Sequence, residues 1–183
     1  MVGALTPTPR LIVLNGPPGI GKSTIARRFV DEHPLSLCLD LDVVRALLGG
    51  WRDDLEQSGR GARALAIQMA HVHLLAGRDV VIPQLLAQPP FLEELERLAA
   101  EVGASFHELV LVAPRSVTSA RLQARSRART QAGEPDEPLS SEAMDDVCDR
   151  LDALVAHRRS AILVAAPDGG LDDTYARVVA AVS

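Results

Sequence analysis

One short glycine-rich segment, residues 16–23, constrains this chain more than any other part of its sequence. It reads G-P-P-G-I-G-K-S and satisfies the pattern G-x-x-x-x-G-K-[ST]. The apolar run 11–14 before it predicts a buried strand, and helical spacing of apolar residues over 22–32 predicts a helix after it. Between a strand and a helix, such a segment wraps its backbone N–H groups around phosphate oxygens. The sequence therefore predicts a phosphate-binding loop, or P-loop.

The residue types of the loop predict the ligand. Lys22 supplies a mobile positive charge for the β- and γ-phosphates of a nucleotide, and the Ser23 hydroxyl is a suitable Mg²⁺ ligand. ATP and Mg²⁺ are therefore the expected cofactors. We expect nucleotide contacts along the whole loop and its first helical turn, from Gly16, Pro17, Pro18, Gly19, Ile20, Gly21, Lys22, Ser23 and Thr24.

Further apolar strand candidates alternate with helices along the chain. The strands are predicted at 11–14, 36–39, 79–82, 107–112 and 161–164. This order predicts a three-layer α/β/α fold with a five-stranded parallel sheet and a ligand site at the carboxyl ends of the strands. The length of 183 residues fits a single domain, 1–183. The helix predicted over 58–75 is expected to bury Ala64, Ile67, Met69, His71, Val72 and Leu75.

Composition excludes several functions. Lys22 is the only lysine, so the N-K-x-D motif by which familiar GTPases recognise guanine is absent. The predicted third and fourth strands end at Gln84 and Pro114 without a carboxylate, which disfavours the mechanical work of AAA-type ATPases. A net charge of −5 and 3% aromatic residues make a nucleic-acid partner unlikely. With no long apolar run, we expect a cytoplasmic protein without membrane contact, as a monomer or homodimer.

Two acids follow the predicted second strand. Alternate residues of a strand point the same way, so Asp40 and Asp42 are both expected to face the site. One carboxylate can order the Mg²⁺ shell while the other accepts a proton from, or orients, an attacking hydroxyl. The alternative is that these acids merely cap the following helix.

Residues 115–130 form the most basic stretch of the chain, with five arginines and no acid. Arg121, Arg125 and Arg129 are spaced by four and share one face of the predicted helix, whereas Arg127 points elsewhere. Guanidinium groups suit the charge that spreads over a transferring phosphoryl group. A merely solvated basic face is the alternative interpretation.

Three stretches together resemble the small P-loop kinases of metabolites. They are residues 16–24, the pattern Asp40-x-Asp42-x-x-Arg45, and the arginine-rich segment. Members of this group include shikimate kinase, gluconate kinase, adenylylsulfate kinase and chloramphenicol phosphotransferase, with polynucleotide kinase and zeta toxin as further relatives. The resemblance implies that Asp42 activates the acceptor hydroxyl and that Asp40 lies nearer the metal.

The resemblance also implies roles for residues outside these motifs. Residues 115–140 look like a lid that brings Arg125 and Arg129 to the transferring phosphoryl group. Arg121 and Pro167, the latter in a turn after the fifth strand, would contact the nucleotide. The acceptor would meet Asp42, Arg45, Trp51 and Gln84, although Trp51 could equally serve packing. Gln84 departs from the acid that several P-loop families place at this strand end, and its amide can bind an acceptor hydroxyl instead.

The sequence thus predicts an ATP- and Mg²⁺-dependent kinase that phosphorylates a hydroxyl of a small molecule, either a metabolite or an antibiotic-like compound. Two other functions stay open. One is an ATP-binding regulatory module without phosphotransfer, and the other is a polynucleotide or nucleotide-sugar kinase.

Overall fold

A five-stranded parallel sheet forms the centre of the molecule. The computed structural model describes residues 8–131 and 140–183. Its strands are β1 (Arg10–Asn15), β2 (Leu37–Cys38), β3 (Val80–Pro83), β4 (Ser105–Val112) and β5 (Ile162–Ala165). They pair in the order β2-β3-β1-β4-β5, all parallel. The predicted parallel α/β sheet is confirmed, and its order brings the carboxyl ends of β1, β3 and β2 side by side.

Helices cover both faces of the sheet. They are α1 (Lys22–Glu32), α2 (Leu41–Ala46), α3 (Leu55–Leu75), α4 (Pro89–Val102), α5 (Arg115–Gln131), α6 (Ser141–His157) and α7 (Leu171–Ala181). Alternate β1 side chains point to opposite layers. Ile12 and Leu14 pack in one apolar cluster with α1 and α7, while Leu11 and Val13 pack in another with α3 and α4. The strand is therefore buried on both faces, as its apolar run predicts.

The orientation of α3 differs from the prediction. Its buried stripe is built on the small residues Ala62, Ala66 and Ala70, while Met69 and Val72 are 40% and 67% exposed. Alanines four apart let the helix approach its neighbours closely, so this face packs well although its residues are less apolar than those opposite. The helix also begins three residues earlier than predicted. Asp54 caps it by accepting a hydrogen bond from the backbone N–H of Gln57 at 2.9 Å.

Ion pairs tie the sheet together at its amino end. Arg10 begins β1, and its guanidinium donates two hydrogen bonds to Oδ2 of Asp79, at 3.0 and 2.5 Å. Oδ1 of the same carboxylate accepts the backbone N–H of Arg10 at 2.8 Å. Three hydrogen bonds thus lock β1 to the residue that precedes β3, on the side of the sheet opposite the glycine-rich loop.

Residues 132–139, which belong to the lid predicted over 115–140, lie outside the described ranges. Within those ranges, no helix has the combination of length and apolar content that crossing a lipid bilayer requires.

Candidate active site

The glycine-rich loop makes a tight turn between β1 and α1. Gly16 and Gly19 adopt φ angles of 144° and 80°, in the region that disfavours residues with a Cβ atom. Space is also lacking at both positions. A Cβ atom would lie 2.9 Å from the Leu111 carbonyl oxygen at Gly16, and 2.7 Å from the Thr118 carbonyl oxygen at Gly19. The loop is therefore wedged between β4 and the first turns of α5, and glycine is required at both contacts.

The amino terminus of α1 opens onto this loop. Gly21 precedes the helix and offers no side chain to cap it, and the first turn contains no acid. Ser23 and Thr24 are exposed there, and the first N–H groups of a helix have no partner within the helix. Nζ of Lys22 donates hydrogen bonds back to the carbonyl oxygens of Gly16 and Pro17, at 2.7 and 3.0 Å. N–H groups, helix dipole and ammonium thus converge where an anion would bind.

Asn15 fixes the base of the loop, a role that sequence reasoning did not resolve. Its side chain is fully buried at the end of β1. Oδ1 accepts the backbone N–H groups of Gly16 and Leu86, at 2.8 and 2.9 Å, and Nδ2 donates to the Leu86 carbonyl oxygen at 2.8 Å. One amide therefore joins the phosphate loop to the segment after β3. A polar residue at the end of an apolar strand, just before the first loop glycine, was the available signal.

The two acids after β2 do not lie on a strand, as the sequence analysis expected. β2 ends at Cys38, and α2 starts at Leu41. Asp40 is the N-cap, since its Oδ1 accepts the backbone N–H of Asp42 at 2.9 Å, and Asp42 stands in the first helical turn. Alternation along a strand therefore cannot orient both carboxylates, and capping fixes Asp40 instead. The Asp42 side chain is 73% exposed.

Arg45 lies one turn beyond Asp42 on α2. Its guanidinium approaches the Asp42 carboxylate at 3.8 Å and is 27% exposed. The Nε atom is buried and has no hydrogen-bond partner. The predicted Asp42–Arg45 pair is therefore brought together, with part of the guanidinium hydrogen-bonding capacity unused.

Trp51 lies in the turn between α2 and α3. The Arg52 guanidinium stacks 4.1 Å from the centroid of the Trp51 ring. The backbone carbonyl oxygen of Trp51 accepts a hydrogen bond from the Ser58 hydroxyl at 2.9 Å. These contacts attach the turn to α3, in keeping with the packing alternative. The ring is half-buried, and nothing in its contacts assigns it to a ligand.

Gln84 directly follows β3. Its backbone N–H donates to the Leu14 carbonyl oxygen at 3.1 Å, which continues the β1–β3 ladder towards the phosphate loop. The segment after it forms a wall of a 560 Å³ pocket between α3 and α4. Leu86 and Phe91 give that pocket apolar lining, Arg60 and Arg63 of α3 give it positive charge, and Glu94 of α4 adds a carboxylate. Since Asn15 binds Leu86, the pocket wall and the phosphate loop share one support.

The arginines of α5 do not share a single environment. Arg121 donates to the Pro167 carbonyl oxygen at 2.9 Å and to Oδ1 of Asp168 at 3.2 Å, which ties α5 to the turn after β5. The contact of Arg121 and Pro167 with a nucleotide stays a prediction. Arg127 is exposed, as expected. The side chains of Arg125 and Arg129 lie outside the described part of the structure, so their roles stay predictions.

Arg115 has structural partners. It binds three acids of α6, Asp145, Asp149 and Asp152, at 3.3, 2.5 and 3.3 Å. The hydrogen bond to Asp149 is the main reason why the pKa of Arg115 is raised. The basic stretch is therefore not uniformly available to phosphate, because its first arginine pairs with acids that are distant in the sequence.

A family model described as an AAA domain matches residues 11–154, which include the phosphate loop and most of the sheet. The chain belongs to this family of P-loop proteins. Residues 84 and 113–114, which follow β3 and β4, include no carboxylate, and this disfavours the mechanical work of AAA-type ATPases. No curated protein sequence matches the chain significantly.

Solved structures with the same fold include a gluconokinase, an APS kinase and a tunicamycin resistance protein. A gluconokinase from Sinorhizobium meliloti has a TM-score of 0.66 at 14% identity, with 96% of this chain and 92% of that one covered. The APS kinase of Mycobacterium tuberculosis, solved with AMPPNP and APS, has a TM-score of 0.59 at 19% identity, covering 96% and 98%. A tunicamycin resistance protein from Deinococcus radiodurans has a TM-score of 0.61 at 20% identity, covering 96% of each chain. At these identities the likeness establishes the fold.

Proposed function

We propose that this protein is an ATP-dependent kinase that transfers the γ-phosphoryl group to a hydroxyl of a small molecule. The observation that carries the proposal is the arrangement of two groups at one sheet edge. The phosphate loop and open α1 terminus follow β1, and the Asp42–Arg45 pair follows β2, with the pocket wall after β3 between them. A nucleotide on the loop would point its terminal phosphate towards an acceptor held at this edge. The shared fold with a gluconokinase and an APS kinase supports this interpretation.

The nucleotide would bind along the loop, with Lys22 at its β- and γ-phosphates. We propose that Arg121 and Pro167 flank its base, because their hydrogen bond already places them together. Arg125 and Arg129 are proposed as lid residues that reach the transferring phosphoryl group. We propose that residues 1–183 form one kinase domain that acts in the cytoplasm.

Mg²⁺ fits the donors near the loop. Ser23 has an exposed hydroxyl, and Asp40 uses Oδ1 for capping, so Oδ2 has no hydrogen bond among the described residues. These are oxygen ligands, and Mg²⁺ completes its shell with water and phosphate oxygens rather than with a protein cage. When bound, the ion neutralises charge on the phosphates. Ser23 and Asp40 are the residues that would hold it.

Asp42 is the proposed base. The acceptor oxygen forms a bond to the γ-phosphorus while the bond from that phosphorus to the β–γ bridging oxygen breaks, and ADP leaves. Asp42 orients the hydroxyl and takes its proton, which then passes to solvent. Its side chain in the first turn of α2 is 73% exposed, so a substrate can reach the carboxylate. Gln84 is proposed to hold the acceptor hydroxyl through its amide.

The test combines an acceptor screen with a pair of variants. Purified protein with ATP and Mg²⁺ is expected to form ADP and a phosphorylated product only in the presence of a suitable alcohol. Asp42→Asn should reduce kcat by about 10² to 10⁴-fold, the usual contribution of a general base, with ATP affinity retained. Asp31→Asn removes an exposed carboxylate of α1 and serves as the matched control. Full turnover in Asp42→Asn would refute the assigned role, and ATP binding without product across broad acceptor pools would favour the regulatory module.

A further inference from the structure

A second cleft opens at the amino end of the sheet, on the side opposite the phosphate loop. Its volume is 690 Å³. Arg10 at the start of β1, Asp79 before β3 and His107 in β4 line it, together with His33 at the end of α1. A cleft of this size accommodates a molecule as large as a sugar. No step of the proposed phosphoryl transfer uses it.

The acid of this cleft is fully occupied. Among the residues that the structure describes, Asp79 is the only acidic side chain in the lining. Its Oδ2 accepts two hydrogen bonds from the guanidinium of Arg10, and its Oδ1 accepts the backbone N–H of the same residue. A further guanidinium nitrogen of Arg10 donates to the Val182 carbonyl oxygen at 3.3 Å. Arg10 and Asp79 thus neutralise each other, and neither carboxylate oxygen lacks a hydrogen bond.

Other groups in the lining have hydrogen-bonding capacity to spare. Within residues 8–131 and 140–183, the guanidinium of Arg78 and the hydroxyl of Ser36 have no partner. His33 donates from Nδ1 to the Phe29 carbonyl oxygen at 2.8 Å, and its ring stacks on the Phe29 ring with 3.9 Å between the centroids. The ring is thereby fixed, and its Nε2 atom has no hydrogen bond to a described residue. The cleft therefore contains a free cation and free polar groups, but no free carboxylate.

The helices that end here do not account for the charge of Arg78. A cation can serve the carbonyl groups at a helix C-terminus. At α1, however, the Phe29 carbonyl oxygen already accepts both the backbone N–H and Nδ1 of His33, and at α7 Arg10 fills the corresponding role. Arg78 follows α3 and uses its backbone N–H, not its guanidinium, for the His73 carbonyl oxygen at 3.3 Å. A helix end carries about half a charge, so a full guanidinium charge exceeds what it can balance.

We propose that this cleft binds a small hydroxylated phosphate monoester, such as a sugar phosphate, through the guanidinium of Arg78. A guanidinium binds phosphate oxygens through two parallel hydrogen bonds. A phosphate ion alone would fill only a small part of 690 Å³, and the hydroxyls of Ser36 and Ser105 suit a carbon skeleton that carries hydroxyl groups. A metal ion is not the better ligand, because the described residues include no group of three His, Cys, Asp or Glu side chains that could hold one.

Calorimetry tests this site without any turnover. The protein is first saturated with Mg²⁺ and a non-hydrolysable ATP analogue, so that the phosphate loop is filled. Glucose 6-phosphate, glycerol 3-phosphate and inorganic phosphate are then titrated. At least one ester should bind more tightly than inorganic phosphate. Arg78→Gln should weaken that binding about 10-fold or more, the usual effect of losing a charge-assisted hydrogen bond, and Arg78→Lys should restore part of the loss.

The matched control is Arg97→Gln, which removes an exposed arginine from α4 and should leave ester binding unchanged. Arg78 is exposed as well, so both variants should unfold at the same urea concentration as the wild type. Histidine ring signals in NMR spectra locate the ligand, since the chain has five histidines and His33→Gln identifies one of them. The bound ester should shift the His33 signal in the wild type but not in Arg78→Gln.

Ester affinity that is equal in the wild type, Arg78→Gln and Arg97→Gln would overturn the proposal, and so would the absence of ester binding. Inorganic phosphate that binds as tightly as every ester would also overturn it, because the cleft would then hold an ion alone. Ester binding that depends on Arg78 supports the site whether or not the protein phosphorylates an alcohol. The site and the proposed kinase function can therefore fail separately.

Discussion

Replacing Asn15 with alanine should destabilise the protein far more than the loss of one side chain suggests. The substitution removes the acceptor of two backbone N–H groups, those of Gly16 and Leu86, and the donor to the Leu86 carbonyl oxygen. Asn15 is 0% exposed, so water does not replace these partners readily. Each buried polar group left without a partner costs about 1 to 3 kcal/mol. With partial relaxation, we expect the free energy of unfolding to fall by about 3 to 5 kcal/mol.

Urea unfolding followed by circular dichroism measures this loss. Thr174→Ala provides the comparison, because Thr174 is equally buried but makes a single hydrogen bond, from Oγ1 to the Gly170 carbonyl oxygen at 2.7 Å. It should cost about 1 kcal/mol. Asn15→Asp keeps the side-chain shape but places an oxygen against the Leu86 carbonyl oxygen, so it too should be destabilised at neutral pH. A loss in Asn15→Ala no larger than in Thr174→Ala would refute the three-bond account of the loop.

Three further experiments address the loop and its surroundings. Gly19→Ala should weaken ATP binding by about 10-fold or more, because the added Cβ atom meets the Thr118 carbonyl oxygen. Gly77→Ala is the control, since Gly77 has a similar φ of 73° but open space around it. This variant should leave ATP affinity unchanged in the same titration. The single tyrosine, Tyr175, has a pKa raised to about 12 by burial and by its hydrogen bond to Glu32. Tyrosinate absorbance should therefore titrate near 12 in the folded protein, at a lower pH in Glu32→Gln, which keeps the burial but removes the charge of Glu32, and near the ordinary value of 10 in urea. Because that pKa is raised on folding, the stability it contributes is present below pH 10 and is lost as the pH rises towards 12. Amine-directed labelling of Lys22 should be suppressed by saturating ATP and Mg²⁺, and undiminished labelling would contradict nucleotide binding at the loop.

The strands and the phosphate loop could be predicted because their signals are local. A run such as residues 11–14 is buried on both faces whatever surrounds it, and a glycine turn followed by Lys-Ser defines its own chemistry. The buried face of α3 could not be predicted in this way. Hydrophobicity favoured Met69 and Val72 as buried residues, whereas close packing buries Ala62 and Ala66. Small residues carry little hydrophobic signal, and their value depends on how near a neighbouring element comes.

Parts of the site depend on contacts between distant residues. The strand that was expected to orient Asp40 and Asp42 ends at Cys38, so alternation along a strand does not orient them, and Asp40 caps α2 instead. Arg115 lacks acids nearby in sequence and finds them on α6.

The ion pair between Arg10 and Asp79 affects which parts of this protein can change in evolution. It joins β1 to the segment before β3 at the amino end of the sheet, whereas the pocket walls supplied by α3 and the segment after β3 lie at the carboxyl end. Substitutions of pocket residues such as Arg63 or Phe91 therefore leave the Arg10–Asp79 ion pair unchanged. Selection for a new acceptor can draw on substitutions at one end of the sheet while the folding stability supplied at the other is conserved.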